Sequence, residues 1–273
     1  MNKVRLDILL VERGFCESRE RARAVIMSGS VFVNGNRAEK PGIQVDSGTS
    51  LEVRGGHDYV SRGGLKLEKA LRYFNVSPKD RICVDCGAST GGFTDCLLKN
   101  GARLVYAIDV GYGQLAWSIR SHARVVTMER TNIRYVTADM FEIKPELAVI
   151  DVSFISLALV LPVVRELLVE DGEVLCLIKP QFEAGRGNVG KKGVVRDANI
   201  HKAVLEMFIQ NVRKSGFYIK GLTYSPLKGP EGNIEYLGWL RRHGDNTEID
   251  IDGIVAQSHS DLAFQEHNST KNE

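Results

Sequence analysis

No part of the 273-residue sequence approaches the roughly 20 consecutive apolar residues that a membrane-spanning helix needs. The N-terminus carries Lys3, Arg5 and Asp7 with no signal-peptide apolar core behind them, so export by that route is not indicated. Disulfide framing is absent as well, because the five cysteines are an odd number and are scattered. Cys83 and Cys86 do make a C-x-x-C, but in a strand positions three apart face opposite sides and cannot pinch one metal. They read as small buried fillers in a reducing cytoplasm. No His, Cys and carboxylate cluster is spaced to hold a metal. These absences argue against a secreted, membrane-spanning or metal-dependent protein and leave a cytoplasmic globular one.

The composition, 43% hydrophobic and 26% charged, is that of a soluble globular chain. Its length suits one core-bearing domain plus a small second one. The formal net charge of +2 hides an asymmetry: the segment from Asp245 to Glu273 carries about −6 and the remainder about +8. That is a moderate bias towards polyanions, which alone does not identify nucleic acid.

The chain is organised around Arg81 to Leu98. A short apolar run ends at Asp85, a turn of Gly and small residues follows, and a helix opens near Gly91. Strand, turn and helix in that order form the first unit of a doubly wound α/β sheet, whose ligands sit outside the carboxyl ends of the strands. Gly87, Gly91 and Gly92 stand as G-x-x-x-G-G, so the dinucleotide register G-x-G-x-x-G fails. Asp109 closes the next apolar run, where an acid normally takes adenosine ribose hydroxyls. A nucleoside without a pyrophosphate fits better, and S-adenosylmethionine is the obvious one, with Asp85 expected to meet its ammonium group directly or through water.

In chain order, Leu6, Leu9 and Leu10 share a helical face stopped by Gly14. Ser18 reads as an N-cap for a helix with Ala22, Val25 and Ile26 inward and Arg19, Arg21 and Arg23 off that stripe. Val31 to Gly35 reads as a strand entering a tight turn, and Ser50 to Val53 as another strand. Gly55 to Asp58 is a polar joint. A helix then runs to Phe74 with Leu67, Ala70, Leu71 and Phe74 inward, which puts Lys66 at the stripe's edge and Lys69 nearly opposite, on the solvent side. Strands are expected at Leu104 to Val110, Val125 to Met128, Leu147 to Asp151, Val174 to Ile178, Tyr218 to Tyr224 and Asn233 to Leu240. Helices are expected at Gln114 to Ser121, Ser156 to Leu168 and Asn199 to Lys214. This alternation argues for a mostly parallel sheet covered on both faces. From Gly244 the chain is polar and acidic and is expected to be irregular, with disorder in part.

Polar residues close several apolar strands: Asp151, Lys179 before Pro180, and Glu235 at the start of the last one. Any one alone would be an ion pair at the rim of the sheet. Together with Lys66 they match the Lys-Asp-Lys-Glu tetrad of FtsJ-class ribose 2′-O-methyltransferases. The segments Ser61 to Leu67, Asp85 to Thr94, Asp109 to Trp117, Glu129 to Asn132, Asp151 to Leu157, Lys179 to Glu183 and Gly232 to Tyr236 resemble the TlyA family, some members of which are labelled haemolysins. Arg5-Leu6-Asp7, Ser18 to Ala24 and Gly29 to Gly35 resemble the small RNA-binding domain named for ribosomal protein S-four.

The resemblance implies an α/β chain, a Rossmann-like class I methyltransferase sheet with a small N-terminal α+β RNA-binding domain. The expected boundaries are 1–56 for that domain, 57–60 for a linker, 61–243 for the methyltransferase and 244–273 for the tail. It implies methyl transfer from S-adenosylmethionine to the ribose 2′-oxygen of a cytidine in ribosomal RNA, 23S and in some members also 16S, on ribosomal subunits in the cytoplasm, without metal. Lys66, Asp151, Lys179 and Glu235 would be catalytic. Asp85, Gly87, Ala88, Ser89, Thr90, Gly91, Gly92, Phe93, Asp109, Asn132 and Asp151 would bind the cofactor. Arg5, Arg19, Arg21, Arg23, Arg62, Lys191 and Lys192 would bind RNA, the last two from a cationic loop that follows Lys179. Other readings predict features that are not seen. A non-catalytic assembly factor need not keep both lysines and both acids. A membrane-active haemolysin would show a spanning or strongly amphipathic segment. A base methyltransferase would show a catalytic Cys or an Asn/Asp-Pro-Pro-Tyr-like motif.

Overall fold

The computed structural model describes residues 3–16, 18–27, 29–38, 40–53, 59–190, 193–229 and 231–270, and their side chains except those of 186 and 263–270. The chain divides into two units, Met1–Gly64 and Leu65–Asn272. The expected joint at Gly55 to Asp58 lies outside the described residues.

In the N-terminal unit β1 (Lys3–Arg5) leads into α1 (Leu6–Glu12) and α2 (Arg19–Met27). The strands β2 (Val31–Val33), β3 (Asn36–Ala38), β4 (Gln44–Asp46) and β5 (Leu51–Val53) follow. Ser18 Oγ accepts from Arg21 N at 3.1 Å, which starts α2 as a capping side chain does. Leu6, Leu9, Leu10, Ala22 and Ile26 fill the core. Asn34 and Gly35 both adopt positive φ, 50° and 78°, and this left-handed pair makes the two-residue turn between β2 and β3. Asp7 is fully buried and accepts from Arg5 Nε at 3.0 Å, Arg5 Nη2 at 2.9 Å and Arg19 Nη2 at 3.2 Å. Hydrogen bonding from Arg5 leads in holding the Asp7 carboxyl down at about 2.

The second unit starts within the first turn of α3 (Gly63–Phe74) and continues through β6 (Ile82–Cys86), α4 (Gly92–Lys99), β7 (Leu104–Ile108), α5 (Trp117–Arg120), β8 (Val125–Met128), β9 (Leu147–Ile150) and α6 (Leu157–Leu167). After β10 (Glu173–Ile178) come α7 (Pro180–Glu183), α8 (Ala198–Lys214), β11 (Tyr218–Tyr224), β12 (Tyr236–Arg241) and α9 (Ile251–Thr270). One seven-stranded sheet runs in the order β11-β12-β10-β9-β6-β7-β8. β6 to β10 are parallel to one another and β12 is antiparallel to both its neighbours. β6 and β9 are buried along their whole length, as the centre of a sheet covered on both faces requires. The chain steps one way from β6 to β7 and β8, and the other way to β9 and β10. The switch point therefore lies between β6 and β9.

Four local expectations need correction. The helix over Gln114 to Ser121 is the single turn α5, because the loop before it is held elsewhere: Gly113 N donates to Glu129 Oε1 at 2.9 Å. The last strand begins at Tyr236, since Asn233 spends its side chain on Val195 N and Gly193 O at 2.9 Å each. Within the acidic tail, Ile251–Thr270 is helical rather than irregular. Asp250 Oδ1 accepts from Gly253 N at 2.9 Å at its start, and Val255, Ser258 and Leu262 are buried, α9 packing on α8 and β11. Finally, Lys69 does more than solvate the surface: its ammonium lies 3.6 Å from the Tyr224 ring centre, and burial lowers its pKa.

A buried polar chain ties α9 to the sheet. His201 Nε2 lies 3.1 Å from Val195 O, so that nitrogen carries the proton, and Nδ1 accepts from Tyr236 Oη at 2.8 Å. Tyr236 Oη also meets Ser258 Oγ at 3.1 Å. Burial pushes the His201 pKa from 6.5 down to about 4. The folded state thus holds a neutral imidazole that the unfolded chain would protonate below about 6.5. Its contribution to stability is full above pH 6.5 and is lost as pH falls through about 4. Urea midpoints measured across that window should fall for the wild type, with a shallower slope in His201→Gln. Parallel slopes would contradict the assignment.

Candidate active site

At the switch point a cavity of about 660 Å³ opens between the loops that follow β6, β7, β8 and β9. This is the size range of a small-molecule site. Gly87, Ser89, Asp109, Asn132 and Asp151 line it, all expected from the sequence. Gly87 is obligatory there: its φ is +91°, and a Cβ would sit 2.5 Å from the Asp151 carbonyl oxygen. Asp109 is fixed by two backbone donors, Ser89 N at 2.8 Å to Oδ2 and Gly111 N at 2.7 Å to Oδ1. Asn132 Oδ1 accepts from Arg134 N at 3.1 Å, which starts a short 3-10 turn.

The other expected cofactor residues lie behind this surface. Ala88, Gly92 and Phe93 are buried, Gly91 N donates to Ala88 O within the turn at 2.7 Å, and Thr90 O accepts from Ala116 N, at the start of α5, at 3.1 Å. Asp85 is sealed beneath the cavity rather than lining it. Its Oδ2 accepts from Thr94 Oγ1 at 2.6 Å, while Oδ1 has no hydrogen-bond partner among the described residues. Burial, with the charge of Asp151 adding to it, raises the Asp85 carboxyl to about 7. An orphaned buried oxygen of this kind is what an ammonium or an ordered water would satisfy.

Three of the four chemistry-bearing side chains leave one end of the sheet. Cys176 on β10 is opposite Ile150 on β9, and Ile178 is opposite Tyr236 on β12. Asp151 and Lys179 are the residues that follow β9 and β10. Glu235 precedes β12, which runs the other way. Lys66 comes from α3. Lys179 Nζ lies 2.6 Å from Asp151 Oδ1 and donates to Ser153 Oγ at 3.0 Å. Lys66 Nζ donates to Glu235 Oε2 at 2.5 Å. Each amine is answered by its own acid. The Glu235 side chain is 1% exposed and that of Lys66 11%.

Sequence reasoning assigned no role to the loop after Asp151. Phe154 there is 90% exposed at a φ of +64°, a costly backbone for an aromatic residue, and its ring centre lies 5.0 Å from that of Phe182. The loop is braced from α7, where Glu183 accepts from Ser156 Oγ at 2.6 Å and from Leu157 N at 2.8 Å. Ser156 also caps α6. That cap is the signal in the sequence, since it leaves Val152 to Ile155 as loop at a strand end.

Of the residues expected on RNA, Arg21 and Arg23 are exposed, and Arg62 is half-buried. Arg5 and Arg19 are engaged by Asp7 within their own unit, which gives them a structural duty the sequence did not show. Lys191 and Lys192 lie outside the described residues.

An FtsJ-like methyltransferase model matches residues 59–242. The chain belongs to that family. Its first part, residues 4–51, matches the S4 domain model. Among relatives of the FtsJ-like chain, YqxC of Bacillus subtilis is 54% identical over 268 residues, covering 95% of each protein. The 16S/23S rRNA (cytidine-2′-O)-methyltransferase TlyA of Mycobacterium tuberculosis is 44% identical, covering 89% of this chain and 91% of TlyA. The TlyA-like architecture extends to a solved Streptococcus thermophilus structure that bears the name hemolysin. It superposes with a TM-score of 0.78 at 48% identity, covering 98% of this chain and 99% of that one. Among the described residues of this TlyA-family protein, no helix is long and apolar enough to cross a membrane.

Proposed function

We propose that this TlyA-family protein methylates the ribose 2′-hydroxyl of a cytidine in ribosomal RNA, working on ribosomal subunits in the cytoplasm with S-adenosylmethionine as donor. The observation that carries the reading is the Lys179–Asp151 pair, because Asp151 also lines the nucleoside-sized cavity. The residues present fit the donor. Asp109, already oriented by two backbone N–H groups, would take the adenosine ribose hydroxyls. The Gly87–Ser89 backbone lets the ligand approach closely, and Asp85, sealed beneath the cavity, would meet its amino-acid end through an ordered water on Oδ1. When bound, the donor supplies an electrophilic methyl group on a sulfonium.

The rest is done by the chain. A ribose hydroxyl is a poor nucleophile at neutral pH and must be aimed as it sheds its proton. Lys179 is placed to contact that oxygen, hold it in line and oppose the charge that develops on it. As the ribose oxygen takes the methyl group that the sulfonium sulfur would release, sulfur keeping the electron pair of that bond, the hydroxyl proton would pass to the Lys179–Asp151 pair. Lys66 and Glu235 hold the neighbouring strand end, and the basic N-terminal unit anchors the RNA through Arg21 and Arg23. The exposed Phe154 ring is a stacking surface for the target base.

Incubation with labelled S-adenosylmethionine and unmodified ribosomal subunits should therefore label RNA at an alkali-resistant 2′-O linkage. Label on a base, or none, would refute the reading. Phe154→Ala should raise the RNA KM about tenfold, in keeping with base–aromatic stacking of about 1–3 kcal/mol. An unchanged KM would remove the stacking role.

A further inference from the structure

We infer that Glu183 is a positioning residue for methyl transfer, a brace that holds Lys179 at a fixed place relative to the donor cavity; the inference rests on the reading above. The segment that carries Lys179 and the segment that walls the cavity are separate loops. Ser153, Phe154, Ile155 and Ser156 line the cavity, whereas neither Lys179 nor Glu183 does. Each loop follows one of two adjacent parallel strands, β9 and β10. Strand pairing sets where the loops start but not where their tips lie.

Most contacts that join the tips involve groups the reaction itself engages. Those of Lys179 with Asp151 and Ser153 are made by the amine that meets the substrate, and the Phe154–Phe182 contact by the ring that meets the base. Glu183 makes a link that stands apart from the chemistry. Its Oε1 accepts from Leu157 N at 2.8 Å and its Oε2 from Ser156 Oγ at 2.6 Å. Ser156 Oγ itself accepts from Ala158 N at 3.1 Å, so its one proton is left for Glu183. A carboxylate one helical turn beyond the lysine thus grips both the cap and the first N–H of α6.

The arrangement is a variant of the capping box, completed from elsewhere in the chain. The acid of such a box ordinarily stands three residues after the capping Ser. In α6 that place is Leu159, and the first turn holds no acid. Leu159 is exposed and lines the donor cavity, so a carboxylate there would put a charge in the cavity wall. Drawn instead from α7, the acid leaves that wall apolar and ties the end of β10 to it. Burial raises the Glu183 carboxyl above its ordinary value and the two hydrogen bonds work against that rise, as expected where both oxygens accept.

The test uses the full chain. Single-turnover transfer to unmodified ribosomal subunits, donor affinity and RNA KM are measured for the wild type, Glu183→Ala and Glu183→Gln. Asp197→Ala, which uncaps α8, serves as the control for a helix cap lost elsewhere. In Glu183→Ala the rate at saturating donor and RNA should fall about 10²-fold, the cost of a misplacement of about 1 Å. Donor affinity and RNA KM should change far less. Glu183→Gln keeps an acceptor for Leu157 N and should lie between Glu183→Ala and the wild type. A Glu183→Ala rate that matches Asp197→Ala, or a loss confined to donor affinity, would overturn the brace. So would a Glu183→Gln rate as low as that of Glu183→Ala, which would place the effect in the charge. Should Glu183→Ala fail to fold, Ser156→Ala, which removes the Oε2 contact, carries the test: a rate below that of Asp197→Ala supports the brace and an equal one overturns it. A second arm needs no methyl transfer. Trace acetylation with acetic anhydride, read by mass spectrometry, reports how far the Lys179 amine, 11% exposed in its pair with Asp151, is freed. Acetylation of Lys179 should rise several-fold in Glu183→Ala and stay at the wild-type level in Asp197→Ala; equal values in the two would overturn the proposal. Wild-type protein that methylates no RNA would thus fail the functional reading and leave the acetylation arm to decide this one.

Discussion

Lys179→Ala is expected to cut methyl transfer by about 10²–10⁴-fold, the range for a residue that moves a proton in the transition state. Affinity for the methyl donor should barely change, because Lys179 does not line the donor cavity. What the substitution removes is the amine 2.6 Å from Asp151. Asp151, 21% exposed, then loses the cation it is paired with. Lys179→Arg is a sharper test, since it keeps the charge but replaces a compact ammonium by a planar fork. It should restore little of the rate. Single-turnover transfer and equilibrium donor binding, measured on the same preparations, decide the matter. Activity within tenfold of wild type in Lys179→Ala would remove this lysine from the chemistry.

The second large effect is on stability as well as rate. Lys66→Met leaves Glu235, 1% exposed, as a buried carboxylate without its cation. Breaking a buried pair from one side costs about 3–5 kcal/mol. Glu235→Gln should cost less, because the Lys66 amine is 11% exposed and its flexible stem can turn towards water. The double variant Lys66→Met with Glu235→Gln should recover much of the stability and none of the lost activity. Urea unfolding of the four proteins gives the coupling directly, and transfer rates on the same set separate folding from function. Additive losses in the cycle would mean the two side chains do not act as a pair.

Much of the architecture was legible because it follows from repeating chemistry. The runs Ile82 to Cys86, Leu147 to Ile150 and Glu173 to Ile178 are apolar throughout most of their length, as strands covered on both faces must be, and each is followed closely by a polar residue or turn. Tyr218–Tyr224 was expected with the ends it has. Asp109 could be assigned to the cavity because it closes a strand. Elsewhere the sequence was silent for a physical reason. Lys66 and Glu235 are 169 residues apart, and no local pattern says which acid answers which amine. Asp85 shows its place in a motif but not its depth, since burial is decided by what packs over it. Phe154 looks like any core aromatic until the loop around it is folded. The tail misled because its charge hides a sparse inward stripe, Val255, Ser258 and Leu262, that means something only against α8 and β11.

The reversed direction of β12 has a consequence for how the two ion pairs come together. Lys179 and Asp151 follow adjacent parallel strands, so pairing β9 with β10 brings that amine and acid side by side. Glu235 meets Lys66 because β12 enters the sheet at the end its parallel neighbours leave by. One pair is thus a local product of two neighbouring strands, while the other forms only once an antiparallel strand and a helix 169 residues away in the chain have both docked.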